Sequence, residues 1–238
     1  MDVIARPETR PDIPRKVRWK AKLFGSHCLS EYLWAYYERE SEVRMPFYLP
    51  YIYMKENFYY LRRYAQIPKK QVSMVLIDGE DSRTDYFLYE FLEELNYLTI
   101  VTERRKYFEG FQERAFQELG LLIDLLFPWE EKNIRGNLVW DFTEQFQKVD
   151  CYPENSICFM PHKKEWKIKE FLKECPAAAA VTLKEVEIGQ NCISTALAES
   201  LLVPPNFPFR KSRCEDLREW CRNQKWTVKM SVQKPEKP

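Results

Sequence analysis

Between residues 71 and 183, short apolar runs alternate with amphipathic helical patterns, and this alternation narrows the fold more than any other feature. Gln71-Val-Ser-Met-Val-Leu-Ile-Asp78 leads into a helical pattern, Leu98-Thr-Ile-Val101 leads into a second, and Leu121-Leu-Ile-Asp-Leu-Leu-Phe127 follows. Strands separated by helices predict an α/β fold with a mainly parallel sheet and helices on its faces, because parallel neighbours need a long crossover. Sheets of this kind hold ligands at the carboxyl ends of their strands.

The first strand is expected over 72–78, and a helix from Ser82, with Asp85 three residues on as in a capping box. Leu88, Phe91, Leu92 and Leu95 give that helix one apolar stripe, and Asn96 closes it. Strands are expected again at 98–101 and 121–127. The helix between them carries Phe108, Phe111, Ala115 and Leu119 on one side, with Gly120 at its C-terminal cap. Further strands are expected at 137–142, 156–160 and 177–183, and helices at 163–174, 184–202 and 214–224. Residues 128–136 are few for a helical crossover, which leaves the direction of the 137–142 strand open. The composition of the tail from Lys234 to Pro238 predicts disorder.

Charge is spread unevenly. Residues 1–70 carry 14 Lys+Arg against 8 Asp+Glu (+6), residues 71–150 carry 8 against 17 (−9), and residues 151–238 carry 15 against 11 (+4). An acidic middle between basic ends suggests attraction within the fold or self-association and disfavours a uniform nucleic-acid-binding face. The 7 cysteines are odd in number and include no C-x-x-C, which predicts reduced thiols in a cytoplasmic protein. The first residues lack a secretory pattern, and no apolar stretch approaches the roughly 18–20 residues of a membrane span.

The end of the first strand offers Asp78, Gly79, Glu80 and Asp81. Three acids around one turn suit a cation or an amine, or else complement the dipole of the next helix. The end of the second strand offers Thr102, Glu103, Arg104 and Arg105, and Asp141 lies near the end of the fourth, where it could face the same cleft as Asp78. His162 is a weak candidate for a general base, and Cys151, Cys158 and His162 match no zinc spacing. No nucleophile motif occurs. In the N-terminal section Trp34, Tyr59, Tyr60 and Tyr64, with Arg62 and Arg63, resemble a packing or interface surface more than a base-stacking one.

On its strand–helix alternation and on Glu103 and Arg104, the stretch from Gln71 to Phe127 resembles one half of a Rossmann-like nucleotide-binding domain. The resemblance implies a ribose contact by Glu103, or a 2′-phosphate contact by Arg104. The G-x-G-x-x-G that would cradle a pyrophosphate is replaced by Asp78-Gly-Glu-Asp-Ser-Arg-Thr84. The chain thus divides into an arm and aromatic-rich helical section (1–70), a Rossmann-like domain (71–203), and a C-terminal helix with its tail (204–238). The leading expectation is a degenerate, non-catalytic scaffold without cofactor that acts through a protein partner or as a homo-oligomer. The alternative is an enzyme or sensor that binds a nucleotide, NADP or another small molecule at the strand ends.

Overall fold

The computed structural model describes residues 48–80, 82–130, 134–202 and 211–235, without the side chains at 82, 83, 86, 89, 196, 200–202 and 211–214. In chain order the helices are α1 (Leu49–Ile52), α2 (Met54–Tyr64), α3 (Ser82–Phe91), α4 (Arg105–Leu119), α5 (Glu165–Phe171), α6 (Thr195–Leu202) and α7 (Lys211–Asn223). The strands are β1 (Ser73–Ile77), β2 (Tyr97–Val101), β3 (Leu122–Leu126), β4 (Leu138–Asp141), β5 (Ile157–Phe159), β6 (Ala179–Ile188), β7 (Asn191–Ser194) and β8 (Trp226–Gln233). Among the described residues two compact units emerge, one of 54–182 with 230–235, the other of 48–53 with 183–229.

In the first unit the strands run β3-β2-β1-β4-β5-β6, every neighbouring pair parallel. This is the 3-2-1-4-5-6 order of dinucleotide-binding folds, so the Rossmann-like α/β architecture stands. The direction of β4, open in the sequence, is parallel: Met74 to Ile77 pair with Leu138 to Asp141. The order reverses between β1 and β4, and the carboxyl ends of those two strands flank the crevice where such sheets take ligands.

Each face of the sheet has its own core. Val75, Ile77, Val139, Cys158, Met160 and Ala180 point to the side covered by Ile168 of α5 and Leu172, an aliphatic and thiol core. The other side is aromatic. Phe87 lies 4.6 Å from Trp140 and 4.9 Å from Phe91, Phe58 of α2 stacks on Phe91 at 4.5 Å, and Phe159 meets Trp140 edge-on at 4.5 Å. The residues of α2 that face this core are Met54, Asn57, Phe58 and Leu61, at helical spacing. The neighbouring tyrosines therefore lie off the buried stripe.

Several expected helices are shorter than their patterns. α3 ends at Phe91 and gives way to a 3-10 turn over Leu92–Glu94, so Leu95 is buried from the loop, not from the helix. In α4 Phe108 and Ala115 are buried while Leu119 is exposed, and Gly120 does cap the helix in the left-handed region (φ 67°). Its N–H bonds Phe116 O at 2.9 Å, as a glycine C-cap requires.

In the second unit the expected helix over 184–202 is corrected. Lys184 to Ile188 continue β6, β7 returns antiparallel, and only Thr195–Leu202 is helical. Ile188 pairs with Asn191, which leaves Gly189 and Gln190 as a two-residue turn. Gly189 sits at φ 61° and Gln190 is not in the positive-φ region, as a type II′ hairpin needs. The 226–233 segment, unassigned in the sequence, is β8 and pairs with β6. The short α1 starts where Glu199 of α6 accepts from the Tyr48 and Leu49 N–H groups at 2.6 and 2.8 Å.

Candidate functional site

At the carboxyl end of β1, Asp78 and Thr102 continue the register of β1 and β2 by one place, since Asp78 N–H bonds Val101 O at 2.9 Å. Thr102 Oγ1 donates to Asp78 Oδ2 at 2.7 Å. Arg104 closes over the same carboxylate with Nε to Oδ2 at 2.9 Å and Nη2 to Oδ1 at 2.8 Å, a two-pronged ion pair. Asp78 Oδ1 also accepts the Glu80 N–H at 2.9 Å. Burial pulls the Asp78 carboxyl up, but the bonds from Arg104, Thr102, Glu80 N–H and Thr84 outweigh it and hold the group below its ordinary range. Asp78 in turn raises the Arg104 guanidinium against the opposing effect of burial. The Arg104 guanidinium lies 4.8 Å over the Tyr107 ring and 5.4 Å over that of Phe108. The Tyr107 hydroxyl donates to Asp85 Oδ2 at 2.9 Å.

The rest of the turn is built around close packing. A Cβ on Gly79 would come within 2.8 Å of the Phe142 carbonyl oxygen, so glycine here lets β1 pass the chain leaving β4. Glu80 follows in the left-handed region at φ 61°, with its side chain exposed. Glu103 is exposed as well, and Asp81 lies outside the described residues. Asp78 and Glu80 therefore do not converge: Asp78 faces Arg104 while Glu80 is exposed to solvent. Among the described residues no group of three or more His, Cys, Asp or Glu side chains is placed to hold a metal ion.

Asp141 belongs to a separate cluster. Because Ile77 pairs with Asp141, Asp141 shares a face with Ile77 and Val139, whereas Asp78 continues the face of Leu76, Trp140 and Phe142. The two carboxylates thus lie on opposite faces of the sheet and not along one cleft. Asp141 Oδ2 meets Lys163 Nζ at 2.8 Å and accepts the Tyr152 hydroxyl at 2.9 Å. Its Oδ1 accepts Thr143 N–H at 2.8 Å and Thr143 Oγ1–H at 2.6 Å. Lys163 Nζ also donates to the Thr143 carbonyl. Asp141, Tyr152 and Lys163 are withdrawn from water, with Asp141 fully buried and Tyr152 at 1% exposure, while Thr143 is half-buried. Burial pulls the Lys163 ammonium down against the upward pull of Asp141, and burial together with Asp141 pushes the Tyr152 phenol well up.

Thr143, Tyr152 and Lys163 are the members of the Asp141 cluster that the sequence did not single out, whereas Thr102 was among the residues it offered at the end of the second strand. Lys163 read there as the start of a basic helix; it is the counter-ion of an in-strand aspartate. The usable signal was Asp141 itself, since a carboxylate inside an apolar strand demands a cation or several donors. His162, beside Lys163, is half-buried. Cys151 and Cys158 sit in the aliphatic core, where burial pushes the Cys151 thiol up to about 11 and Cys158 further. Among the described side chains, Cys151, Cys158, Cys175, Cys192 and Cys221 form no disulfide.

Of the aromatic set on α2, Tyr59 is exposed, and Tyr60 stacks on Tyr64 one turn later, centroids 6.2 Å apart. Arg62 lies 5.2 Å from the Tyr59 ring. Trp34 lies outside the described residues. No described helix is long and apolar enough to cross a membrane.

No protein-family model matches this chain, and no curated protein does. Among solved structures, the ligand-free form of 5-ketofructose reductase of Gluconobacter sp. strain CHM43 is similar over 42% of this chain and 40% of that one, at 8% identity and a TM-score of 0.33. The likeness thus spans two fifths of the reductase, and a score of that size carries no argument about activity.

Proposed function

We propose that this chain keeps a Rossmann-like sheet as a scaffold and works through a protein partner or self-association, without holding a dinucleotide. The observation that supports this best is the closure of Arg104 onto Asp78. A bound dinucleotide needs backbone N–H groups free in the first strand–helix turn and a side chain at the end of the second strand turned to the ribose. Here the turn is occupied by a carboxylate, and the arginine that could meet a 2′-phosphate is spent on that carboxylate. Gly79 serves the passage beside Phe142. The tyrosines on the outer side of α2 add an aromatic surface of the kind enriched at protein interfaces.

The competing reading, a nucleotide or small-molecule site on Asp78, Gly79, Glu103 and Arg104, requires Arg104 to leave its partner. One titration separates the two. With NADH, NADPH or ATP at about a hundredfold above a micromolar affinity, a real site would add roughly 2.7 kcal/mol and lift the melting temperature by several degrees. We expect the melting temperature to stay flat with all three. A clear rise that Arg104→Ala abolishes would overturn the scaffold reading in favour of the cleft.

A further inference from the structure

We propose that Cys192 and Lys229 form an oxidation-driven sulfur–nitrogen cross-link, a covalent modification site that staples β7 to β8. Lys229 Nζ donates to Cys192 Sγ at 3.3 Å and lies 3.7 Å from Glu187 Oε2. The sheet sets this contact. Cys192 stands directly opposite Glu187 in the antiparallel pairing of β6 with β7, so both side chains leave the same face. β8 pairs with β6 as well, which brings Lys229 alongside Glu187. Three strands thus contribute one residue each, and sulfur and nitrogen are held as near neighbours. Among the described thiols Cys151, Cys158, Cys175 and Cys221 are buried and Cys192 is exposed, so of these an oxidant in solution meets Cys192 first.

The pair supplies what the reaction needs beyond its oxidant, a hydroperoxide such as hydrogen peroxide. Cys192 reacts as the thiolate, the nucleophilic form of the side chain. It attacks one peroxide oxygen, the O–O bond breaks, and the Lys229 ammonium gives a proton to the departing hydroxide. The products are Cys192 sulfenic acid, water and a neutral Lys229 amine, with sulfur oxidised and peroxide reduced. The amine lone pair then attacks the sulfenic sulfur. An S–N bond forms, the S–O bond breaks, and the hydroxide leaves with the proton that nitrogen sheds, as a second water. One thiol, one amine and one peroxide give a sulfenamide and two waters. The proton transfer in the first step matters, because Cys192 and Glu187 hold the Lys229 ammonium above its ordinary value and the resting lysine is no nucleophile. A reducing thiol attacks the linked sulfur and restores both side chains. α6 and α7 lie between residues 192 and 229, so the staple closes this stretch of the second unit into a covalent loop and stabilises it against unfolding.

The test treats the full chain with a modest excess of hydrogen peroxide and digests it without added thiol. The expected product is a cross-linked peptide containing Cys192 and Lys229, two hydrogens lighter than the sum of its parts and lost on treatment with dithiothreitol. Lys229→Arg keeps the positive charge without a primary amine, and Cys192→Ser removes the sulfur. Neither should give the product, and in Lys229→Arg dimedone should trap Cys192 as its sulfenic acid. Both side chains are exposed, so unchanged melting temperatures of the untreated variants will show that they fold. Peroxide should raise the melting temperature of the wild-type chain by several degrees and that of neither variant, and dithiothreitol should reverse the rise. Wild-type protein whose Cys192 stays a thiol, or ends as sulfenic or sulfinic acid with Lys229 unmodified, would overturn the proposal. So would a disulfide through Cys192, a linked peptide that persists in Lys229→Arg, or one that carries an extra oxygen between sulfur and nitrogen. A cross-link that leaves the melting temperature where it was would overturn its role as a staple.

Discussion

Asp78 and Asp141 show what a single residue reveals before a structure is known. Both are carboxylates at the ends of apolar strands, and burial alone marks them as costly unless paired. Their importance was therefore legible. Their partners were not, because Arg104 is 26 residues away, and Lys163 lies 22 residues on from Asp141, beyond another strand. A local pattern carries no record of such pairings. The Asp141 cluster makes a graded prediction. Asp141→Ala leaves the Lys163 ammonium buried with the Thr143 oxygens and the Phe146 ring but without its ion-pair partner, and should cost about 3–5 kcal/mol, the range for breaking a buried pair. Lys163→Met removes the charge but refills the volume, and Asp141 keeps the Tyr152 and Thr143 donors. It should cost clearly less. Urea unfolding of the two variants measures the order; equal losses would mean that packing, not the charge pair, sets the stability of this corner.

The strands and helices were legible where the period of the apolar residues was unambiguous. The runs at β1, β2 and β3 are each bounded by a turn, the first two packed on both faces and the third on one, so they read as strands regardless of partner. The segment after β6 misled because Lys184-Glu-Val-Glu is rich in helix-favouring residues, while the information sits in two residues, Gly189 and Gln190, whose turn geometry folds the strand back. Strand propensity in β8 was hidden for a similar reason: its alternation follows a proline-free but charged helix and ends in a charged tail. Two glycines test this view of the elements. Gly110 lies inside α4, and a Cβ added there would meet nothing within 4 Å. Gly110→Ala should therefore stabilise by about 0.5–1 kcal/mol, the helix-interior penalty of glycine. Gly189 also has open space but stands at φ 61°, so Gly189→Ala should destabilise by about 1 kcal/mol despite the room. Thermal melts of the two variants should shift in opposite directions; a loss of stability in Gly110→Ala would show that the bare stretch of helix is covered by something it must touch.

At the scale of the whole chain, the two units carry buried carboxyls of opposite tendency, and their stabilities should respond to pH in opposite senses. In the sheet unit Asp78 titrates below its ordinary value of 3.8. A lowered folded pKa means that its contribution is complete above about 3.8 and is lost as the pH falls through the folded value. In the other unit burial pushes Glu199 up to about 8 from 4.5, outweighing the two backbone N–H groups it accepts from at the start of α1. A raised folded pKa reverses the sign: the stabilisation is whole below about 4.5 and drains away as the pH rises through about 8. At about 1.4 kcal/mol per pH unit the alkaline loss could reach about 5 kcal/mol, comparable to the stability of a small unit. Hydrogen exchange followed from about pH 5 to about pH 9, with rates corrected for intrinsic pH dependence, should show amides of α1 and α6 losing protection while those of β1, β2 and β4 hold. Glu199→Gln keeps an oxygen acceptor for α1 and removes the titration, so it should flatten the alkaline limb in the second unit and leave the sheet unit unchanged. Parallel loss of protection in both units, with or without Glu199, would mean that the carboxyl is not what sets the alkaline stability and that the units open together.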